Sequence, residues 1–481
     1  MGHTTAIPTR SFGFYLNGDW ITHGRDVVVT SPYDRSAVAV VYEAERDDVE
    51  VAIESAVRAF AVTRKLPSYQ RAVILRKIAD GIIARRKEFA QTICQEAGKP
   101  IRTARIEVDR AVNTFYIAAE ESTRIYGEYI PLDTLESTAG RWGLLRRFPL
   151  GPVFAITPFN FPLNLVSHKV APAIAAGCPL ILKPAPQTPV SSLLLAEIVH
   201  ESGWPEGAFA VMPLSNENAA LLVADDRIKL LTFTGSAPVG WQLKSKAGKK
   251  RVTLELGGNA AVIIHSDADL AHAAHRCVAG GFSYAGQTCI SVQRILVHQP
   301  AFEKFTGLLL DGVSKLKVGD PMEEDTDVPP LIREQDAVRV SEWIEEALKG
   351  GARLLRGGAR KGSVVEPAVL TGTSPTMRVN CAEVFGPVVT VEPYDEFSEA
   401  VRQVNDSPYG LQVGVFTRDA VRIETAFEDL EVGGVIVGDV PSFRVDQMPY
   451  GGVKDSGLGR EGLRYSIEDM TERKLLVMAL K

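Results

Sequence analysis

The amino-acid sequence predicts an α/β protein with two units, each built on a parallel sheet. From Gly151 to Leu256, short apolar runs of β type alternate with helical patterns, and this spacing predicts βαβ units whose sheet is covered on both faces. After Asn259 the alternation starts again and continues to about Val440, which predicts a second α/β unit. Two extended runs, at 129–149 and 473–480, lie outside both units and should pack against other parts of the chain.

Length and composition restrict the class of protein. A chain of 481 residues exceeds one ordinary core and predicts two or three domains. The net charge of −6 is spread along the sequence, so we expect neither nucleic-acid binding nor a polybasic membrane patch. We find no signal-peptide core and no uncharged apolar run long enough to span a bilayer. Five widely spaced cysteines without CxxC spacing argue against disulfides or a zinc site and predict a reduced, cytoplasmic location.

The first part of the chain changes from β to helical character. Residues 14–44 are typical of short strands and turns, with one turn at Asn17-Gly18. From Asp47 to Gly127, apolar residues return every three or four positions, which predicts a layer of packed helices.

The first α/β unit places several polar residues at the ends of predicted strands. Its strands lie in VFAITPF, PLILKP, AFAVMP, KLLTFTG and RVTLEL, separated by helices at 163–176, 190–202, 216–224 and 236–247. Ligands of parallel sheets bind beyond the carboxyl ends of the strands. The residues at such ends are Thr157 to Asn160, Lys183, Gly235-Ser236 and Glu255.

The second unit leads to a thiol carried on a loop. Its predicted elements are AAVIIHS, a helix at 270–285, RILVH, helices near 302–317 and 334–349, and the runs VVTVEPY, GLQVGVF and GGVIVGDV. Cys289 follows the first of these helices in the small-residue segment GQTCIS, and Glu255 ends a strand in LELGGN. A thiol and a carboxylate on turns at element ends are what a cysteine nucleophile with a general base requires. The alternative interpretation is a buried structural thiol and a solvated turn carboxylate.

Seven segments of the chain resemble the signatures of the aldehyde dehydrogenase superfamily, in the order in which that family carries them. They are TPFNFP, ILKPAPQTP, FTGS, LELGGN, GQTCIS, EVFGP and PYGGVKDSGLGREG. The resemblance implies a Rossmann-like cofactor domain at 1–126 and 150–256, a catalytic domain at 257–440, and a bridging, oligomerising β-element at 127–149 and 466–481. It also implies a homodimer or homotetramer.

The resemblance assigns chemical roles to three residues. Cys289 is implied as the nucleophile that forms a thiohemiacetal and, after loss of hydride to a nicotinamide, a thioester. Glu255 is implied as the general base that activates the thiol or the hydrolytic water, and its presence favours release of a free acid. Asn160 is implied as the donor to the oxyanion, together with the backbone N–H of Cys289. A local turn role before Pro162 is the alternative for Asn160.

The cofactor implied by the resemblance is NAD or NADP. Lys183 would bind the adenosine ribose, and the helix that begins after Gly235-Ser236 would face the pyrophosphate. Many NAD-preferring members carry a glutamate three residues after this lysine; Pro186 stands here, so the sequence leaves the choice between NAD and NADP open. The full set of implied contacts is Thr157, Pro158, Phe159, Lys183, Gly235, Ser236, Val239, Leu256, Gly257, Glu383 and Phe385.

The segment SFRVDQMPYGG resembles a hydrolytic, non-phosphorylating subgroup that acts on lactaldehyde, glyceraldehyde 3-phosphate or phosphonoacetaldehyde, so we expect a small hydroxylated or anionic aldehyde. Arg444 is a candidate anion contact, with a surface or domain-bridging arginine as its alternative. Thr288 precedes the cysteine where some phosphate-binding members carry arginine, which argues against a phosphorylated substrate. Arg102, Arg105 and Arg110 lie on one predicted helix that could reach the substrate or remain solvated.

Two alternatives and two misleading motifs complete the sequence analysis. The chain could be a cysteine-dependent thioester or ester hydrolase, although neither nearby histidine, His265 or His275, has a suitable context, or it could be a non-catalytic nucleotide-binding protein. Gly457 to Gly462 fits GxGxxG but follows a polar loop near the end of the chain, and Gly235 to Gly240 has P-loop spacing with Trp241 in place of the lysine. We reject both as fingerprints and predict no metal site.

Overall fold

The structure is a computed structural model that describes residues 10–479. Residues 1–9, which begin the predicted cofactor domain, and residues 480–481, which end the predicted bridging element, lie outside the described residues. The described chain forms an eight-stranded and a seven-stranded sheet, together with smaller sheets of two or three strands. The predicted α/β class is therefore confirmed.

The N-terminal region contains short strands followed by a layer of helices, as predicted. Asn17 and Gly18 adopt positive φ values of 53° and 91° in the tight turn between the second and third strands. The elements are β1 (Arg10–Phe12), β2 (Phe14–Leu16), β3 (Asp19–Ile21), β4 (Arg25–Thr30), β5 (Ala37–Glu43), α1 (Arg46–Thr63), α2 (Ser68–Ala84), α3 (Arg86–Ala97) and α4 (Ile101–Glu121).

The next part of the chain forms a hairpin and then the predicted βαβ series. The strands of the series are short and almost fully buried, which is typical of a parallel sheet covered on both faces. The elements are β6 (Glu128–Pro131), β7 (Arg141–Pro149), β8 (Val153–Ile156), α5 (Asn164–Ala176), β9 (Leu180–Lys183), α6 (Val190–Glu201), β10 (Phe209–Val211), α7 (Asn216–Ala224), β11 (Leu230–Thr234), α8 (Ala237–Lys246) and β12 (Arg251–Glu255).

The strand order of this sheet creates a crevice at one edge. The parallel strands lie in the order β12-β11-β8-β9-β10, so the chain moves outward from β8 in one direction and then returns to the other side of β8. In the register, Ile156 pairs with Lys183 and Thr234 pairs with Glu255, which places these carboxyl ends at one level. A ligand crevice is expected where the strand order reverses, between β8 and β11.

The second unit restarts the alternation after a short loop. Its sheet has the order β15-β18-β19-β14-β13-β21-β22. The elements are β13 (Ala261–Ile264), α9 (Leu270–Phe282), β14 (Arg294–His298), α10 (Phe302–Ser314), α11 (Glu334–Lys349), β15 (Arg353–Arg356), β16 (Arg360–Lys361), β17 (Val364–Val365), β18 (Ala368–Thr371), α12 (Arg378–Cys381), β19 (Val388–Tyr394), α13 (Phe397–Asn405), β20 (Tyr409–Gly410), β21 (Gln412–Phe416), α14 (Ala420–Asp429) and β22 (Gly434–Val437).

The helix before the thiol is shorter than the sequence pattern suggested. We expected it to extend to Ala285, but α9 ends at Phe282. Tyr284 and Ala285 have φ values of 50° and 52°, a left-handed conformation that cannot continue a right-handed helix.

The C-terminal part of the chain returns to the first unit. It contains β23 (Val453–Lys454), β24 (Gly457–Leu458), α15 (Leu463–Asp469) and β25 (Thr471–Ala479). Gly457 pairs antiparallel with Glu255, so the GxGxxG-like segment is an edge strand rather than a dinucleotide loop. The strand β25 pairs along its whole length with β7, and with β6 they form a separate three-stranded sheet. No helix of the described chain is long and apolar enough to cross a membrane.

Candidate active site

A cavity of about 760 Å³ lies between the two large sheets. Its walls come from the carboxyl ends of β8, β11 and β12, from the loop after α9, and from two later segments around Phe385 and Tyr450. Three residues singled out from the sequence for chemistry line it together: Cys289, Glu255 and Asn160. The topology therefore brings the predicted thiol, carboxylate and amide to one place.

The loop that carries Cys289 is held in a strained backbone conformation. Tyr284, Ala285 and Gly286 follow one another with positive φ values of 50°, 52° and 71°, which is unusual for the two residues that are not glycine. A Cβ at Gly286 would lie 2.2 Å from the carbonyl oxygen of Gly386, so only glycine fits there. The Tyr284 hydroxyl donates to the Ala97 carbonyl at 2.6 Å and anchors this turn to the helical layer.

The thiol of Cys289 is half-buried and has one polar side-chain neighbour at hydrogen-bond distance among the described residues. Its Sγ lies 2.9 Å from the hydroxyl of Tyr450. Burial raises the pKa of the thiol to about 11, while the hydrogen bond from Tyr450 and the charge of Arg444 act in the opposite direction. Cys94, Cys178 and Cys277, by contrast, are buried in the core.

Asn160 presents an amide to the same cavity. Its Nδ2 donates to the Gln287 carbonyl, two residues before the thiol, at 3.0 Å, and its Oδ1 is buried without a partner among the described residues. An amide nitrogen carries two hydrogens, so one N–H remains for a ligand. Gln287 is itself fixed, because its Oε1 accepts from the Ile332 N–H at 2.9 Å. The amide and the thiol loop are thus held in a fixed relation.

Glu255 is 3% exposed, and neither of its carboxyl oxygens has a hydrogen-bond partner in the described part of the chain. Burial raises its pKa well above the ordinary value of 4.5, and the nearby Glu461 carboxylate adds to this rise. Positive charges at Lys169, Arg444 and Arg460 act in the opposite direction. A carboxyl group whose pKa is moved toward neutrality is suited to accept a proton near physiological pH.

A buried charged network lies behind the cavity, and most of its members were not singled out in the sequence analysis. Glu461 forms ion pairs with Lys169 and with Arg444, the latter at 2.9 Å. The guanidinium of Arg444 lies 3.7 Å from the centre of the Tyr450 ring. His168 is buried in the same network, near Arg444 and Glu461, and contacts Asp446 at 3.0 Å. The signal that could have indicated this network is the segment PYGGVKDSGLGREG, in which Tyr450 and Glu461 stand.

The opposite end of the cavity fits a dinucleotide. Thr234, Gly235, Ser236, Leu256 and Gly257 line it, next to the N-terminus of the ten-residue helix α8, which is an electropositive position. Pro158 and Phe159 line the adjacent wall. The hydroxyl of Thr234 is buried without a partner within the described residues, so a polar group of a ligand can satisfy it.

Lys183 and Thr157 lie at the same sheet edge but do not line the cavity itself. Lys183 is buried, burial lowers its pKa, and it forms no ion pair with an acid in residues 10–479. Its ammonium group is therefore available to a ribose hydroxyl or a phosphate. Val239 is 44% exposed on α8 and also lies outside the cavity wall.

Glu383 and Phe385 line the part of the cavity wall next to Gly257 and Phe159. Glu383 accepts the Gly258 N–H at 3.1 Å, and burial raises its pKa to about 7 although Gly258 and Arg339 oppose the rise. Phe385 has a positive φ of 48° and packs edge-on against Phe159, with ring centroids 5.8 Å apart. The donors, the helix end and the two aromatic rings together fit NAD or NADP.

The arginines that we considered from the sequence separate into two groups. Arg102 and Arg105 pair with Asp327 and Glu324 on the surface and do not line the cavity. Arg110 and Arg444 do line it, and each has a buried Nε without a partner among the described residues. Thr288 lines the cavity beside the thiol.

The described residues contain no cluster of three or more His, Cys, Asp or Glu side chains that could hold a metal ion. Histidines are likewise missing from the cavity lining, and His265 instead stacks on His298 with ring centroids 4.1 Å apart. A Cys-His pair of the hydrolase type is therefore not formed in residues 10–479.

Comparisons with known proteins agree with this site. A model of the aldehyde dehydrogenase family matches residues 20–476. The 3-sulfolactaldehyde dehydrogenase of Priestia megaterium is 44% identical over 480 residues, which cover 99% of this chain and 100% of that protein.

Two solved structures superpose closely on this chain. Aldehyde dehydrogenase 21 from Physcomitrella patens, in complex with the reaction product succinate, gives a TM-score of 0.97 at 45% identity and covers 98% of this chain and 99% of its own. Glyceraldehyde-3-phosphate dehydrogenase from Methanocaldococcus jannaschii, complexed with NADP, gives 0.92 at 37% identity, with 95% and 100% covered. The chain belongs to the aldehyde dehydrogenase family and is an enzyme that depends on NAD or NADP.

Proposed function

We propose that this enzyme oxidises a small anionic or hydroxylated aldehyde to its carboxylic acid through a thioester on Cys289. The observation that carries the proposal is the common cavity of Cys289, Asn160 and Glu255, whose wall also contains Arg110 and Arg444. Overall, the aldehyde, the oxidised cofactor and water give the acid, the reduced cofactor and protons.

The first step is addition of the Cys289 thiolate to the aldehyde carbon, which forms a carbon–sulfur bond and leaves negative charge on the former carbonyl oxygen. The free N–H of Asn160 and the backbone N–H of Cys289 would stabilise this oxyanion. Because Asn160 is already fixed on the Gln287 carbonyl, its amide needs little reorganisation when the charge develops.

NAD or NADP, when bound, would supply the acceptor for the hydride that the thiohemiacetal carbon loses as the thioester forms. Glu255 then acts as general base and takes a proton from the water that attacks the thioester carbon. Its raised pKa makes the carboxylate a stronger base than an exposed glutamate, and its unpartnered oxygens are free to bind that water. Collapse of the tetrahedral species expels the Cys289 thiolate and releases the acid.

An anionic group on the substrate would bind to Arg444 and Arg110. Both guanidinium groups line the cavity and pair through Nη2 with an acid, Arg110 with Asp446 and Arg444 with Glu461, and each keeps a buried Nε–H that has no partner among the described residues and can donate to an anionic oxygen. The similarity to a 3-sulfolactaldehyde dehydrogenase and to a dehydrogenase bound to succinate supports an anionic substrate. A lactaldehyde-like or phosphonoacetaldehyde-like compound has the required size and chemistry.

The domain division at 1–126 with 150–256, 257–440, and 127–149 with 466–481 is part of this proposal, as is a homodimer or homotetramer. The strand β25 forms the outer edge of its sheet, and its side chains Leu475, Leu476 and Val477 are about half exposed. Unpaired strand edges with apolar side chains are typical surfaces for association with another chain.

The test is a panel of short aldehydes of similar size that are neutral, hydroxylated, carboxylated, phosphonated or sulfonated, each assayed with NAD and with NADP. We expect the highest kcat/KM for an anionic or hydroxylated member. Arg444→Gln and Arg110→Gln should each lower kcat/KM for the anionic aldehydes by ~10- to 100-fold relative to the neutral ones. Arg105→Gln, which removes a surface arginine, is the control. Equal losses for neutral and anionic aldehydes would reject the anion site.

A further inference from the structure

We propose that Tyr450 is a further catalytic residue, whose hydroxyl donates a hydrogen bond to the sulfur of Cys289 whenever that sulfur carries negative charge. The inference rests on the proposed function, because it assumes that Cys289 is the nucleophile. It concerns the stabilisation of the thiolate, which neither Glu255 nor Asn160 performs.

The hydroxyl of Tyr450 is placed for this contact and for no other. The side chain is 2% exposed, and within the described residues its Oη forms one side-chain hydrogen bond, to Cys289 Sγ at 2.9 Å. Its backbone is fixed on both sides, because its N–H donates to the Glu461 carbonyl at 3.0 Å and its own carbonyl accepts the Glu461 N–H at 2.6 Å. The backbone that carries the ring is therefore held in place.

The ring of Tyr450 is fixed by Arg444. The guanidinium carbon lies 3.7 Å from the ring centroid, and the same guanidinium is paired with Glu461. A positive charge over the ring favours the approach of the hydroxyl proton to an anionic sulfur, because it makes the hydroxyl a stronger donor. The pair of residues thus directs one polarised O–H at the thiol.

The direction of the hydrogen bond depends on the state of the sulfur. A neutral thiol and a hydroxyl can each donate to the other, but a thiolate can only accept. Burial raises the pKa of Tyr450 well above 10, so the phenol keeps its proton and remains a donor throughout the cycle. The phenol transfers no proton and forms no covalent bond; the thiol proton leaves to a base or to water.

This hydrogen bond acts at two steps of the reaction. It stabilises the thiolate before carbon–sulfur bond formation, and it stabilises the same thiolate when the carbon–sulfur bond breaks during hydrolysis of the thioester. Three charged groups also act on the sulfur: Arg444 favours the thiolate, whereas Glu383 and Glu255 disfavour it. Tyr450 acts beside these charges as an uncharged hydrogen-bond donor.

The experiment compares the wild type with Tyr450→Phe, which removes the hydroxyl and keeps the ring beneath Arg444. Alkylation of Cys289 by iodoacetamide is followed over a range of pH by mass spectrometry of the peptide that carries this residue. We expect the rate–pH profile of the variant to lie about one unit higher in pH, because a charged hydrogen bond is lost. At neutral pH the alkylation rate should fall by roughly three- to tenfold. The smaller fraction of thiolate lowers the rate, and the greater nucleophilicity of the more basic thiolate offsets part of this loss. The kcat should fall by about tenfold with little change in KM.

Tyr394→Phe is the matched control, because Tyr394 is equally buried at 2% exposure and its hydroxyl donates to the Ile264 carbonyl at 3.4 Å, its one hydrogen bond within residues 10–479. It should keep the wild-type alkylation profile and kcat. A wild-type profile and kcat in Tyr450→Phe would overturn the inference. Turnover retained in Cys289→Ser would instead overturn the proposed function, so the two failures are distinguishable.

Discussion

Arg444 and Glu461 form an ion pair inside the wall of the active-site cavity, with 2.9 Å between Nη2 and Oε2. The side chains are 8% and 2% exposed, and Lys169 pairs with the other oxygen of the same carboxylate. One buried acid therefore compensates two buried cations, and it holds the guanidinium that faces the substrate and covers Tyr450. Removing that acid would leave both cations uncompensated in a poorly solvated place.

Glu461→Gln should destabilise the protein by about 3–5 kcal/mol at neutral pH, because a buried ion pair that loses one partner leaves an unpaired charge. The charges of Lys169 and Arg444 outweigh burial and lower the pKa of Glu461 to about 2. Since the folded-state pKa lies below the unfolded one, this stabilisation is present above the ordinary pKa and is lost as the pH falls through about 2. Urea unfolding of the wild type and of Glu461→Gln measures the difference in the free energy of unfolding.

The control for that measurement is Glu54→Gln, which removes an exposed pair with Arg58 at 3.4 Å. It should cost less than about 1 kcal/mol. Equal effects of the two substitutions would show that the buried network contributes no more than a surface pair.

Glu255→Gln should make the enzyme slower and, at alkaline pH, more stable. Burial raises the pKa of Glu255, so the folded state holds its proton more tightly than the unfolded state. As the pH rises above the ordinary value of 4.5, the carboxyl group ionises in the unfolded state while the folded state still holds its proton, so the wild type loses stability and the amide variant does not. Thermal unfolding midpoints should coincide near pH 4 and separate progressively, in favour of the variant, as the pH rises above 4.5. Midpoints that stay together across this range would contradict the buried, unpartnered carboxyl.

Asn160→Ala should lower kcat by about 10²- to 10³-fold with a small effect on KM, because the lost N–H acts on the oxyanion rather than on the bound aldehyde. Steady-state kinetics with the best aldehyde of the panel measure the effect. Asn380→Ala removes an amide whose hydrogen-bond partners are Thr373, Ser374 and Thr390, outside the cavity lining, and should keep kcat near the wild-type value. A loss confined to KM would place Asn160 in substrate binding alone.

Gly257→Ala should weaken cofactor binding. A Cβ at this position would lie 2.1 Å from Oε2 of Glu383, so the carboxylate must move from its present place in the cavity wall, where we expect it to contact the cofactor. We expect the KM for the cofactor to rise by about tenfold, which corresponds to one lost hydrogen bond. Gly307→Ala, where a Cβ meets no atom within 4 Å, should leave this KM unchanged. An unchanged KM in both variants would argue against a role of Glu383 toward the cofactor.

The sequence was sufficient to predict that Cys289, Glu255 and Asn160 lie near one another. Asn160 lies just after one strand and Glu255 ends another strand of the same parallel sheet, whose carboxyl ends must share an edge, and the family resemblance implied that the thiol acts with them. Most helix limits were also predictable from periodicity, for example α7 and α11. The end of α9 was not, because left-handed residues such as Tyr284 and Ala285 are held by tertiary contacts and not by local preference.

The contacts behind the cavity could not be predicted, because they join residues far apart in the sequence. Lys169 and Glu461 are separated by 292 positions, and Cys289 and Tyr450 by 161. Alone, a lysine or glutamate is expected at the surface, so only the tertiary structure shows that these charges are buried and paired. The surface partners of Arg102 and Arg105 were also unpredictable, because these acids lie more than 200 positions away in the sequence.

The most direct test of the proposed mechanism is to trap the acyl group on the protein. Glu255→Gln, in which hydrolysis should be slow, is mixed with the best aldehyde and the oxidised cofactor, quenched in acid and digested. We predict that the peptide containing Cys289 gains the mass of the acyl group, that the gain requires the cofactor, and that Cys289→Ser shows neither the gain nor turnover. Full turnover in Cys289→Ser, or an acyl group on another residue, would contradict catalysis through the thioester of Cys289.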